Sequence, residues 1–354
     1  MSLATLARPE ILALEAYSLP AADPGATRLN ANENPWRYPG DASAAGLNRY
    51  PEPYPLALEA RLAEFYGVPA ESLLCGRGSD EGIDLLTRTF CRPGRDAVVI
   101  CPPTFGMYRV TAMIQGAAVI EVPLAHAAGY ALDPARLLAA VTPAVKLVFL
   151  CSPGNPTGAA IPAATIATIA AALAGRALVV VDEAYAEFMA GPGALTLRAR
   201  HANLVVLRTL SKAYALAGAR VGSVIAAAEL VALMRRVIPP YAMPTTSSEA
   251  ALAALAPAPL ATARERIAEL VRGRERLAGR LAATPGVERV WPSDANFLLT
   301  QFTEPARALA AATAAGILVR DFSHGVLTPG CLRITVGTPA DNERLIAALQ
   351  GGAP

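Results

Sequence analysis

Between about residues 70 and 225, short β-type runs that are apolar on both faces alternate with longer stretches of helical spacing, and this alternation restricts the fold more than any other feature of the chain. Ala97–Cys101 (AVVIC), Val145–Cys151 (VKLVFLC), Ala177–Val181 (ALVVV) and Asn203–Leu207 (NLVVL) read as strands. Between them Ile83, Leu86 and Phe90, and later Ile166, Ile169 and Leu173, recur at helical intervals. A strand buried on both faces needs helices on both sides, so the pattern predicts an α/β fold with a mostly parallel sheet. Each run then empties into polar, Gly/Pro-punctuated sequence: Cys101 into PPTFGMY, Cys151 into SPGNPTG, Val181 into DEAY and Leu207 into RTLSK. Open α/β sheets bind ligands at the carboxyl edge, so four such clusters predict one shared site.

Beyond about residue 245 the pattern changes. Ile267, Leu270, Leu277 and Leu281 mark a long amphipathic helix, followed by strand-like Phe297–Leu299, Ile317–Arg320 and Leu332–Val336. Thr338 and Pro339 offer an N-cap and a first-turn proline for a closing helix to about Gln350. Residues 45–245 are therefore expected to form a large α/β domain. Residues 1–44 and 246–354 are expected to form a smaller α+β domain with an N-terminal arm, since Leu29–Pro39 reads as extended sequence without a core of its own.

Composition excludes several classes. A chain of 354 residues with 53% apolar and 17% charged side chains has core enough for two lobes and is not intrinsically disordered. Its net charge is +2 and no Lys/Arg run occurs, so no nucleic-acid partner is expected. The five cysteines are odd in number, and the closest two, Cys91 and Cys101, stand ten positions apart; neither a disulfide framework nor a metal site is expected. Pro9 and Glu10 interrupt the start of the chain before a signal peptide could form, and Pro162 and Arg176 cut the most apolar region. A cytoplasmic protein without membrane contact is the expectation.

Among 31 basic residues only Lys146 and Lys212 are lysine, the other 29 being arginine. Where charge alone is needed arginine suffices, so a lysine here suggests a need for an amine that can lose its proton and attack a carbonyl. Lys146 lies one residue into a β-type run and reads as a surface side chain. Lys212 closes a strand-end cluster with Thr209 and Ser211, eight positions before Arg220, and suits either an imine to a carbonyl cofactor or a solvated surface. Asp182 follows four apolar residues, where an unpaired charge is costly; it needs a cation, supplied by a ligand or by a structural ion pair, or else it caps a helix. Tyr185 adds a phenol nearby. Gly76-Arg77-Gly78-Ser79-Asp80-Glu81 precedes a helix and reads equally as an anion cradle or as an ordinary loop with Ser79 as N-cap. Together a pyridinium-holding carboxylate, an imine-forming lysine, an anion cradle and a phenol make the set that pyridoxal phosphate requires. The glycine fingerprint of nicotinamide binding is missing. His126, His201 and His324 fall in no motif and read as loop or surface residues.

LNANENP (29–35), NRYP (48–51), GRGSDEGIDLL (76–86), CPPTFGMY (101–108), CSPGNPTG (151–158), DEAY (182–185), RTLSKAYALAGAR (208–220) and GCLRITVGT (330–338) resemble, in order, the signature blocks of the histidinol-phosphate aminotransferases. These are fold-type-I pyridoxal-phosphate enzymes of the class II subfamily of aminotransferases, and the likeness spans about residues 5 to 349. The resemblance implies that Lys212 is the Schiff-base lysine and proton shuttle, that Asp182 pairs with the pyridinium nitrogen, and that Asn155 and Tyr185 bond the ring's phenolic oxygen. It implies that Phe105 stacks on the ring, where many relatives carry tyrosine. Gly78, Ser79, Asp80, Thr209, Ser211 and Arg220 would hold the phosphate, and Tyr50 would reach the phosphate of a neighbouring subunit, making a homodimer with shared sites. Substrate recognition would fall to Arg333 and Arg320, with Asn32 and Tyr17 as lesser candidates. Arg320 also reads as a partner of Asp321 or as a surface residue.

The implied reaction is amino transfer between L-histidinol phosphate and 2-oxoglutarate in histidine biosynthesis. Aromatic or broad-range amino acid aminotransferases and threonine-phosphate decarboxylases are the alternatives on the same scaffold. A coenzyme-binding transcription regulator is disfavoured because the aminotransferase pattern starts within the first thirty residues.

Overall fold

A computed structural model of the chain describes residues 2–16 and 26–351. All four predicted apolar runs form strands of one seven-stranded sheet. Its members are β1 (Leu73–Gly76), β2 (Ala97–Ile100), β3 (Ala118–Glu121), β4 (Val145–Cys151), β5 (Leu178–Asp182), β6 (Leu204–Thr209) and β7 (Gly222–Ile225). They lie in the order β1-β7-β6-β5-β4-β2-β3. Strands β3, β2, β4, β5 and β6 run parallel, whereas β7 is antiparallel to both β6 and β1.

The apolar reading on both faces has a direct cause. Along β5, Val179 and Val181 enter one hydrophobic core while Leu178 and Val180 enter the other, and β4 and β6 alternate in the same way. Each such fully buried Val or Leu contributes about 1.5–3 kcal/mol. Because β2, β4, β5 and β6 are parallel, their carboxyl ends share one edge, with Cys151 opposite Asp182 and Asp182 opposite Leu207 in register.

Strands β8 (Val287–Val290), β9 (Phe297–Phe302), β10 (Arg320–Asp321) and β11 (Cys331–Thr335) form a second, antiparallel sheet in the order β10-β11-β9-β8. The strand expected over Ile317–Arg320 is thus confined to Arg320–Asp321, the register being set by pairing with β11. The long helix is Pro257–Ala282. The closing helix is Pro339–Leu349, with Thr338 and Asp341 forming a reciprocal capping box. Leu277, Leu281, Leu298, Ile334 and Leu345 make the core of this part.

The two sheets meet through specific contacts. Arg274, buried on the long helix, donates to the carbonyls of Phe188 (3.2 Å) and Ala295 (3.0 Å). Asp294 donates its amide to Gly158 O at 2.8 Å and accepts the Ala160 amide at 3.0 Å. His126 is not a free surface residue: its ring meets Trp291 edge-on at 5.1 Å, beside Tyr130. Residues 2–12, expected to belong with the smaller lobe, pack instead on the large sheet's helices. Leu3 and Leu6 enter its core, and the Leu3 amide donates to Glu229 at 2.8 Å. Among the described residues no helix is long and apolar enough to cross a membrane.

Candidate active site

Ten of the residues singled out above line one cleft at the carboxyl edge of the large sheet: Ser79, Asp80, Phe105, Asn155, Asp182, Tyr185, Thr209, Ser211, Lys212 and Arg220.

Asp182 ends β5 and is 3% exposed. Burial pushes its carboxyl up to about 6, opposed by the Tyr108 hydroxyl and the Ala184 amide, which donate to Oδ2 (2.7 Å) and Oδ1 (3.2 Å). Among the described residues no cationic side chain pairs with it. The structural ion pair weighed for Asp182 is therefore not formed, and the carboxylate faces the cleft, where a cationic ligand can satisfy it. Lys212, exposed to the cleft, places Nζ 5.8 Å from the centroid of the Tyr185 ring. Burial raises the Tyr185 phenol above its ordinary range, so it stays a proton donor. Asn155 lies with its amide nitrogen 3.4 Å from the Tyr185 hydroxyl, and Phe105 projects from the loop after β2.

The anion cradle is built by close backbone approach. The helix Ser79–Phe90 starts after Gly78, which takes φ 85° and is itself the N-cap. Ser79 therefore does not cap, contrary to expectation; it occupies the first helical turn and lines the cleft. A Cβ on Gly222 would lie 2.5 Å from the Ser79 amide nitrogen, so β7 holds the cradle only because glycine stands there. Across it, Thr209 Oγ1 lies 2.9 Å from Ser211 Oγ and accepts the Ser211 amide at 3.1 Å. Arg220, held at φ 56°, pairs with Asp80 at 3.0 Å. An arginine in left-handed backbone is strained and marks a position fixed by its surroundings.

From the smaller sheet, Arg333 on β11 reaches over and bonds Asn155 Oδ1. Its guanidinium lies 5.2 Å from the Phe297 ring centroid and 5.6 Å from that of Phe322, and its Nε is buried without a partner. Burial lowers its pKa from the ordinary arginine value. Arg320 is exposed and stands directly across from Arg333 in the β10–β11 register; it forms no salt bridge with Asp321, whose partner is His324 at 3.7 Å. Tyr50 and Asn32 lie elsewhere, in a shallow depression with Glu33, Arg49, Pro244 and Thr245. There Tyr50, 52% exposed, packs its ring 4.8 Å from Tyr241. Tyr17 is outside the described residues. No sequence feature gives Tyr108 a role, although it stands in the CPPTFGMY block; its contact with Asp182 arises only from packing between distant segments.

A buried carboxylate without a cationic partner, an amine in the same cleft and a cradle of amides, hydroxyls and one guanidinium fit a ligand with a protonated ring nitrogen, a carbonyl and a phosphate. Pyridoxal phosphate is such a group. A model of the class I and II aminotransferases matches residues 16–349. The chain belongs to that family. Aminotransferases of this family depend on pyridoxal phosphate. A histidinol-phosphate aminotransferase of Stenotrophomonas maltophilia is 51% identical over 97% of this chain and 95% of its own length. One from Xylella fastidiosa is 54% identical over 91% and 88%. The crystal structure of a histidinol-phosphate aminotransferase from Sinorhizobium meliloti in complex with pyridoxal-5'-phosphate superposes on this aminotransferase with a TM-score of 0.76. It is 27% identical and covers 86% of this chain and 82% of that one.

Proposed function

We propose that this aminotransferase exchanges the amino group between L-histidinol phosphate and 2-oxoglutarate, giving imidazole acetol phosphate and glutamate, and works in the opposite direction for histidine biosynthesis. Bound pyridoxal phosphate supplies an aldehyde for the amine and a protonated ring that withdraws electrons from the substrate carbon. Lys212 is the amine that holds the coenzyme and moves a proton at the substrate's α-carbon. Asp182 keeps the ring nitrogen protonated, because a buried anion without another cation is satisfied only by one. Asn155 and Tyr185 would hold the ring oxygen, and Phe105 would hold the ring. Gly78, Ser79, Asp80, Thr209, Ser211 and Arg220 form the phosphate cradle.

Arg333 and Arg320 are the substrate's anion-binding pair, since guanidinium forks grip carboxylate and phosphate alike. That lets one site take glutamate and then a phosphorylated amino alcohol. The most direct support is that Lys212 and Asp182 line one cleft together with Asn155, to which Arg333 is hydrogen-bonded.

The working unit is a homodimer in which Tyr50 and Asn32 complete the partner's site. Supporting this are exposed apolar side chains along the same segment and on the helix Met107–Gln115: Trp36 at 76%, Tyr38 at 57%, Met113 at 65% and Ile114 at 78%.

A substrate panel followed at the bound coenzyme's visible absorbance tests the reading. Histidinol phosphate is expected to discharge the absorbance, and 2-oxoglutarate to restore it. Discharge by phenylalanine alone, or carbon dioxide released from threonine phosphate, rejects it.

A further inference from the structure

We infer that Tyr108 is a positioning residue for amino transfer, fixing the Asp182 carboxylate in its charged and aimed state through a wholly buried hydrogen bond. The inference rests on the reading that Asp182 faces the coenzyme's ring nitrogen. Tyr108 lies in the first turn of the helix Met107–Gln115 and has no solvent exposure. Its ring stacks on Phe149 of β4 at 4.9 Å, with 5° between the planes, and meets Phe105 edge-on at 5.7 Å. These contacts hold the ring so that its hydroxyl lies 2.7 Å from Asp182 Oδ2. Oδ1 is held by the Ala184 amide. With both oxygens engaged, the carboxylate cannot turn without leaving a buried donor unpaired.

The direction of donation is settled by the environment. Burial, then the Asp182 charge, pushes the Tyr108 phenol well above its ordinary range, so the proton stays on the tyrosine. Donation to an ionised carboxylate favours that form, while burial acts the other way. The other groups facing Asp182 do not substitute for it. Cys151, opposite on β4, is a thiol kept neutral by burial. Asp80 on the helix Ser79–Phe90 pairs with Arg220, and Glu183 pairs with Arg208. Tyr185 and Lys212 line the same cleft, and neither bonds Asp182 among the described residues.

Tyr108→Phe removes one oxygen and keeps the ring between Phe149 and Phe105. Two measurements follow: the dissociation constant of pyridoxal phosphate from the apoprotein across pH, and the nitrogen-15 resonance of ring-labelled coenzyme in the holoprotein. Affinity near neutral pH is expected to fall about tenfold or more, because a hydrogen bond to a charge is lost. The acid-side midpoint of the affinity profile should rise by about one pH unit, and the resonance should move toward that of an uncharged pyridine. Lowered thermal stability with unchanged midpoint and resonance means packing only, and overturns the inference. Asp182→Asn in parallel keeps the two claims apart. If it too leaves affinity and resonance unchanged, the reading of Asp182 falls and this inference falls with it. If it alters both while Tyr108→Phe alters neither, only the role of Tyr108 falls.

Discussion

Burial pushes the Asp182 carboxyl up to about 6, against about 3.9 for an exposed aspartate. Without coenzyme, the folded chain therefore keeps a proton that the unfolded chain releases between about pH 4 and pH 6. Stability is fullest below that window, declines as pH rises through it, and above it stays lower by about 3 kcal/mol. Asp182→Asn cannot ionise. In urea titrations of the coenzyme-free protein it is expected to gain about 1–3 kcal/mol at mildly alkaline pH and to lose most of that gain near pH 4. A difference that does not vary with pH contradicts the assignment. At this scale Lys212 and Asp182 are legible in the sequence: lysine is scarce, and a carboxylate closing an apolar run has few tolerable fates. Tyr108 is not, because a tyrosine in the first turn of a helix looks like core, and its partner is 74 positions away.

The anion cradle depends on how two elements approach each other. Gly222 on β7 touches the backbone of Gly78 and Ser79 closely enough that any side chain displaces the helix start. Gly222→Ala is expected to weaken pyridoxal phosphate binding at least about tenfold and to cost about 1–3 kcal/mol of stability. Calorimetric unfolding and coenzyme titration check both parts; full affinity in a folded variant would mean the cradle does not hold the phosphate. The central strands are legible because helices cover both of their faces. The four-residue strands β1, β3 and β7 escape, since β3 is half-exposed at the sheet edge and the glycines of β1 and β7 reflect close approach rather than strand preference. Ser79 is misread as a cap for a related reason: Gly78, in left-handed backbone, already fills that position.

At the scale of the molecule, the cleft with Lys212 and Asp182 lies at the edge of the large sheet, and Arg333 of the smaller sheet bonds Asn155 there. This two-lobed plan is visible where the alternating pattern stops near residue 245. The docking of residues 2–12 on the large sheet is not, because it depends on tertiary contacts of two leucines and Glu229. The proposed shared site makes a prediction about pairs of chains. Lys212→Ala and Tyr50→Ala, each expected to be impaired alone, should on co-expression regain roughly a quarter of wild-type activity, since half the dimers are hybrids with one intact site each. No recovery above the separate variants places Tyr50 in its own protomer's site or in none. The central claim, that one amine of this chain holds the coenzyme at the mouth of the sheet, is tested most directly by incubating the protein with pyridoxal phosphate, reducing with borohydride and mapping the modified peptide. The account predicts one stoichiometric label, on Lys212; a label on Lys146, or none, contradicts it.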